Sequence, residues 1–318
     1  MGPATLDMRV LADIERRTAI DRAEFEREFA LRNQPVVISG AIEHWPALER
    51  WKAPALRARL GGLQTRFKVA REHRHPDFSA ASSAEMFRTE GGTFNDFFDG
   101  LASEPSEARR YLLTGEEQWL FKRRPGQVDQ FTDSLRELFA DFYTPNLFDD
   151  RRLYSSWFWL SAAGVRTWLH YDNNDCHNLN AQVQGSKRVW LISPDQLSRL
   201  YPFGVDAAVP AYNCSQVDAE SPDLERFPSF AEVEALSGEI NAGDLLFIPA
   251  NWSHTFVHTG PFNANVNFWW KPEALIQSVT SVRQGFFDAL ATAGGAAQLA
   301  PAERALLASL ERALLARA

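Results

Sequence analysis

Thr167-Trp-Leu-His-Tyr-Asp172 lies among short runs of β-branched and aromatic residues, and the reading of those runs decides the fold. Trp157 to Leu160, just before it, reads as a strand. Asn178 to Val183 and Lys187 to Ile192, just after it, read as a hairpin closed at Gln184-Gly185-Ser186. In an extended chain, residues two apart leave the same face, so His170 and Asp172 can share one ligand. The texture persists from Arg152 to about Lys271, with a further turn at Asn241-Ala-Gly-Asp244, and points to a β-sandwich or barrel.

Outward from this core the pattern changes on both sides. Residues 1–150 mix helical spacing, as in Asp21 to Phe29 with Phe25 and Phe29 four apart, with short strands such as Val36 to Ser39. They are expected to form an α/β flank integrated with the core of residues 151–272. Residues 273–318 return to helix, with Pro301 suited to a helix start and Leu306, Leu307, Leu310, Leu314 and Leu315 as one apolar stripe. That stripe would pack on its own chain or build a homodimer interface. The whole is expected to be mostly β with α flanks.

Composition limits the function classes. Of 318 residues, 45% are hydrophobic, enough for a large core, and 10 Trp and 23 Phe suit sandwich filling and pocket walls. The net charge of -8 disfavours a nucleic-acid partner. Two cysteines, Cys176 and Cys214, can form neither a disulfide framework nor a Cys-rich zinc site, which fits a reducing cytoplasm. No apolar run approaches the roughly 18 residues needed to span a bilayer, so no membrane partner is expected.

A His-x-Asp pair alone is a weak signal, and this chain contains two. In His75-Pro-Asp77 the proline removes a ladder donor and the charged neighbours read as a solvated loop. His170-Tyr-Asp172 is instead flanked by strands. A third donor is offered by Gly243-Asp-Leu-Leu-Phe-Ile-Pro-Ala-Asn-Trp-Ser-His254, a turn, a buried strand and a further extended run. Taken alone, His254 reads equally as a rim histidine bonded to backbone. Two histidines and one carboxylate on one face are the facial triad of non-haem iron(II) oxygenases, with open positions for cosubstrate and oxygen.

Several ordered segments carry a family resemblance: Pro35-Val-Val-Ile-Ser-Gly with Trp45-Pro-Ala and Trp51, Thr167 to Asp172, Gly185-Ser-Lys-Arg188 with Pro194, and Gly243 to His254 followed by Asn267-Phe-Trp269. The chain resembles the cupin-like, Jumonji C-type iron(II) and 2-oxoglutarate-dependent oxygenases, and within them the asparaginyl-hydroxylase branch. The resemblance implies a double-stranded β-helix (jelly-roll) core. It makes His170, Asp172 and His254 the Fe(II) ligands and Lys187 the partner of the distal 2-oxoglutarate carboxylate. Thr167 and Tyr111 would add hydroxyl donors there, and Asn178 and Asn267 would line the cosubstrate pocket. O2 would be the co-oxidant, and C-H hydroxylation the default outcome.

The segment Asn173-Asn-Asp-Cys-His177 is two residues longer than in that branch, so the loop beside the metal differs. Trp168, Asn173, Trp252 and Trp269 are the candidates for the substrate face. His258, four beyond His254, reads as a core or supporting residue. A protein or peptide side chain is the favoured substrate, ahead of a small metabolite. Two other classes stay open: a cupin enzyme that uses no cosubstrate, and a non-catalytic metal-binding or interaction module.

Overall fold

The computed structural model describes residues 6, 8–71, 88–102, 108–112, 119–122, 130–131, 133–172, 175–205, 211–273, 279–292, 295 and 298–316. Two sheets face one another. The smaller runs in the order β1 (Arg9–Asp13), β13 (Glu234–Asn241), β12 (Ser186–Ile192), β15 (Ser253–His258), β10 (His170–Tyr171). The larger runs β2 (Arg16–Arg17), β3 (Val36–Ile38), β14 (Leu245–Ile248), β11 (His177–Gln184), β16 (Phe262–Trp270), β9 (Leu153–Ala162), β6 (Ala108–Leu112), β4 (Gln64–Arg71), β5 (Arg88–Thr93). A side branch adds β7 (Trp119–Lys122) against β9, and β8 (Gln130–Phe131) against β7. Strands β9, β16, β11 and β14 lie opposite β10, β15, β12 and β13, the two halves of a jelly roll. Strands from the first 150 residues extend the larger sheet at both ends.

The expected hairpin between residues 178 and 192 does not form. β11 pairs with β14 and β16, whereas β12 pairs with β13 and β15, so Gln184-Gly185-Ser186 carries the chain from one sheet to the other. The reason is local. Gly185 has φ +74°, and a Cβ there would sit 2.3 Å from the Phe262 carbonyl oxygen, so the backbone turns tightly against β16 instead of folding back on β11. Residues 249–251 make the same kind of crossover between β14 and β15, with Asn251 at φ +70°.

Burial follows the strand period. Along β11, Leu179, Ala181 and Val183 enter the core beneath the flanking helices, and Asn178 and Asn180 point into the roll. That outer core is covered by α1 (Arg22–Phe25), α2 (Ala47–Arg50), α3 (Ala53–Leu60) and α4 (Phe94–Ala102), and it is built from aromatics. Trp51 meets Phe158 edge-on at 5.0 Å, and Phe148 stacks on Trp270 at 4.4 Å. The buried Asp141 carboxylate ties the helices down, accepting from Arg50 at 2.9 Å, Arg59 at 2.6 Å and the Trp51 indole at 2.8 Å. The expected helix over 21–29 starts as foreseen, with Asp21 capping Glu24 N at 2.8 Å, but widens to a π-turn over Glu26–Ala30. No helix among the described residues is long and apolar enough to cross a membrane.

The tail packs only part of its leucine stripe on its own chain, Leu307 among it. In α6 (Pro301–Leu315), which follows α5 (Val279–Thr292), the buried positions are Ala308 and Glu311, while Leu306 and Leu310 are exposed. A charge pair overrides the leucine stripe: the fully buried Arg283 of α5 donates through Nε to Glu311 at 2.7 Å. Its remaining donors reach the Tyr171 hydroxyl at 3.1 Å and the carbonyls of Phe203 and Tyr212. Because Glu311→Ala would leave that guanidinium buried without a counter-charge, the substitution is expected to cost about 3–5 kcal/mol in chemical denaturation. Leu306→Gln, on the exposed side of the same helix, is expected to change stability by less than about 0.5 kcal/mol.

Candidate active site

The site begins with a two-residue strand. His170 and Tyr171 of β10 pair with His254 and Ser253 of β15, which sets the two imidazoles side by side with ring centroids 4.4 Å apart. So short a strand needs outside support. Tyr171 N donates to Asn213 O at 3.1 Å, Asn213 Nδ2 to Tyr171 O at 2.8 Å and Ser215 N to Leu169 O at 2.8 Å. On its other side Thr167 is fastened to β15, giving its N–H to Phe256 O at 3.0 Å and accepting from Phe256 N at 2.8 Å. The chain leaves β10 immediately before Asp172, whose carboxylate returns to the same face.

One donor atom from each of His170, Asp172 and His254 lies within 4.8 Å of the others. The neighbours have already assigned the spare atoms. His170 Nδ1 lies 2.9 Å from Trp168 O and His254 Nδ1 lies 3.1 Å from Trp252 O, in each case the carbonyl two residues earlier. A carbonyl only accepts, so Nδ1 carries the proton and Nε2 keeps its lone pair. Asp172 Oδ2 accepts from Asn178 at 2.9 Å and from the Trp269 indole at 2.8 Å, which leaves Oδ1 free, 3.9 Å from His170 Nε2. Burial and the neighbouring His254 push His170 down to about 4. Burial alone would raise Asp172, but the two imidazoles and the two hydrogen bonds outweigh it and hold the carboxyl low. Two imidazole nitrogens beside one carboxylate oxygen are the donor set that suits iron and leaves other positions open.

The three face a cavity of ≈ 230 Å³ inside the roll. Its deep end holds Lys187, only 2% exposed, whose ammonium donates to Asn265 Oδ1 and stands 5.4 Å from the centre of the Phe256 ring. No carboxylate pairs with it among the described residues, and burial drives it down to about 7. A buried cation without a counter-ion is costly unless something anionic binds there. Thr167 also lines the cavity, and its accepted bond from Phe256 leaves the hydroxyl hydrogen free to donate inward. Asn178 and Asn267 line it too, as does Asn180, whose Oδ1 is buried with no partner among the described residues. The backbone of Tyr111 pairs with Ser161, a cavity residue, but the Tyr111 side chain lies outside the described residues, as do Asn173, His75 and Asp77.

The aromatic candidates divide. Trp168 and Trp269 line the cavity, Trp269 also fastening Asp172. Trp252 does not: it belongs to a buried cluster with Ile248 and Phe256 and donates its indole to Asn33 O at 2.9 Å. It serves the site through its carbonyl, which orients His254. Sequence reasoning passed over Asn180, Asn265, Trp159 and Ser161, all on the cavity. The alternation of asparagine with apolar residues in 178–181 and 265–268 was the available signal. His258 lies there as well, its Nδ1 bonded to Ser161 Oγ, and burial with Lys187 nearby holds it well below the usual imidazole range.

A jelly roll that gathers two histidines and one carboxylate, which could hold a metal ion, is the architecture of a cupin-like domain. Residues 22–275 match the family described as Cupin-like domain, and the chain belongs to that family. Its relatives include tRNA wybutosine-synthesizing protein 5 of Gallus gallus, 30% identical over 258 residues that cover 79% of this chain and 75% of the relative. The human protein of that name is 28% identical over 266 residues, 81% of this chain and 78% of its own. Lysine-specific demethylase 8 of Xenopus tropicalis is 29% identical over 252 residues, 77% of this chain but 50% of that protein. These relatives support the family and not the narrower likeness to its asparaginyl-hydroxylase branch.

Lys187 gives a pH test of the site. Its folded value, about 7, lies below the unfolded 10.5, so the unfolded chain holds more protons between the two and wild-type stability rises with pH across that window. Lys187→Met in the ligand-free protein is expected to stabilise by on the order of 5 kcal/mol at most below pH 7, an advantage that fades towards pH 10.5. Thermal melts of both proteins across that range would check it.

Proposed function

We propose that the protein is an Fe(II)- and 2-oxoglutarate-dependent oxygenase that hydroxylates an unactivated C–H bond, most favourably on a protein or peptide side chain. The observation that carries this reading is Lys187, a buried cation without a counter-charge among the described residues, which shares one cavity with the His170, Asp172 and His254 cluster. A metal site alone would suit many cupins. A metal site with a cation at the far end of the same cavity suits a ligand that chelates at one end and carries a carboxylate at the other.

In this reading His170 Nε2, Asp172 Oδ1 and His254 Nε2 hold the iron. With iron and 2-oxoglutarate bound, such a centre uses O2 to decarboxylate the cosubstrate to succinate and to place one oxygen atom on the substrate. The protein's own part is orientation and exclusion. The Trp168 and Trp252 carbonyls fix the imidazole tautomers, and Asn178 and Trp269 hold the carboxylate. Lys187 would bind the distal carboxylate with the Thr167 and Tyr111 hydroxyls, while Asn178 and Asn267 hold the cosubstrate's flank. Trp159 and Trp269, which line the cavity, would help to keep bulk water from it. Trp168 and Trp269, at its wall, would meet the substrate.

The substrate class rests on weaker ground. The net charge of -8 favours a neutral or cationic partner over a polyanion. Some relatives carry the name lysine-specific demethylase, and others are named for wybutosine synthesis on tRNA. If the carbon attacked is bound to nitrogen, loss of the hydroxylated group makes the outcome demethylation.

The test is succinate release from 2-oxoglutarate by iron-loaded protein after air is admitted. Wild type is expected to form succinate and Asp172→Ala to fall to background. Lys187→Met is expected to need roughly 10–100-fold more 2-oxoglutarate for half-maximal turnover, the loss of one charged hydrogen bond. Peptide pools and bulk tRNA offered separately would identify the substrate: stimulation by tRNA alone overturns the peptide assignment, and no succinate under any condition overturns the oxygenase.

A further inference from the structure

An unbroken series of side-chain hydrogen bonds joins Lys187 to Asp172 through three asparagines. Lys187 Nζ donates to Asn265 Oδ1, Asn265 Nδ2 to Asn267 Oδ1 at 2.6 Å, Asn267 Nδ2 to Asn178 Oδ1 at 2.8 Å, and Asn178 Nδ2 to Asp172 Oδ2 at 2.9 Å. All three amides are buried, at 2–4% exposure, so none can exchange its partner for bulk water. The strand register makes the series: Asn265 and Asn267 share one face of β16, Asn267 sits opposite Asn180 on β11, and Asn178 is the next residue on that β11 face.

The two ends fix its direction. An ammonium has donors only and an ionised carboxylate acceptors only, whereas an amide offers one arm of each kind. Three amides in series between such ends have a single self-consistent arrangement, with every oxygen towards Lys187 and every nitrogen towards Asp172. Reversing one forces the next to reverse, until Asn178 presents its oxygen to Asp172 Oδ2. Asp172 would then keep only the Trp269 indole on that atom.

We propose that Asn265, Asn267 and Asn178 form a polarised relay of positioning residues, through which the cation at the deep end of the cavity keeps the Asn178 N–H on Asp172 Oδ2, beside the Trp269 indole, and so holds the carboxylate with Oδ1 towards the metal. The inference rests on the functional reading of the triad as a metal site. It assigns Asn265, which touches neither the three donor residues nor Trp269, a part in metal binding from two amides away. Coupling of this kind is reciprocal, so an anion that engages Lys187 and a metal at the triad each alter the affinity for the other beyond any direct contact.

The discriminating variant is Asn265→Asp. A carboxylate there still accepts from Lys187 but cannot donate to Asn267, so Asn267 and then Asn178 turn over. Simple Coulomb attraction makes the opposite prediction, since an added negative charge near the triad strengthens cation binding. The measurement is titration with Co(II) alone, without 2-oxoglutarate, followed by calorimetry and by the visible absorption of the bound ion. The relay predicts roughly tenfold weaker binding, the lower end of what the loss of supporting contacts costs a metal site, with a changed absorption band. Asn265→Leu, neutral and of similar volume, removes the directing bond without adding charge and is expected to weaken Co(II) in the same sense, which keeps the test intact if the aspartate variant does not fold.

Co(II) binding as tight as wild type in either folded variant, with an unchanged band, overturns the relay. Wild type beside Asp172→Ala separates the two readings. If wild type takes up no more Co(II) than Asp172→Ala, the metal site itself fails; if it binds and both Asn265 variants match it, only the relay fails.

Discussion

The site depends on the pairing of His170 and Tyr171 with His254 and Ser253, two residues of backbone against two. A pair this short has no stability of its own, and at least four other contacts hold it in place. Asn213 and Ser215 bind one side, Thr167 is sewn to Phe256 on the other, and the Tyr171 hydroxyl is gripped from the C-terminal helices by Arg283. The consequence is a rigid frame for three donor atoms that come from two strands and one strand exit. The tautomers are settled before any ion arrives, because each imidazole is bonded to the carbonyl two residues behind it.

Much of this was legible in the sequence. His170 and Asp172 were read as same-face neighbours of one strand and do come together, although Asp172 lies just past the end of β10, and the ordered segments around them carried the family and its jelly roll. What escaped reading depended on which strands become neighbours. Gln184-Gly-Ser186 has every mark of a hairpin turn, and only the crowding of Gly185 against Phe262 shows that the chain must leave the sheet. The leucine stripe of 306–315 obeys helical spacing, but one buried Glu311 opposite Arg283 sets the helix on a different face. Trp252 is close to His254 in sequence, yet its ring is committed to the core and only its carbonyl faces the site's business. The asparagines at 178, 180, 265 and 267 were visible singly, whereas their connection needs the register of β11 on β16.

The cavity gathers several groups that are costly to bury. The outer core is nearly all ring and branched chain, packed around Trp51, Phe158 and Phe247. Inside the roll lie a lysine with no counter-ion among the described residues, two depressed imidazoles and an asparagine oxygen with no partner among the described residues. Each is a cost to folding, and in the proposed reading an anion and a cation would offset it. The aromatic mass of the flank is the reserve of stability that lets the cavity stay polar.

Arg283 and Glu311 have a bearing on how the molecule comes into being. They are supplied by the last helices, more than a hundred residues after the strand they steady, while Tyr171, Phe203 and Tyr212 wait for them. A chain emerging from the ribosome therefore presents His170, Asp172 and His254 before the clamp that fixes their strand exists. The native frame around these three donors then waits for Arg283 and Glu311 to be made, so translation order itself sets when that geometry can form.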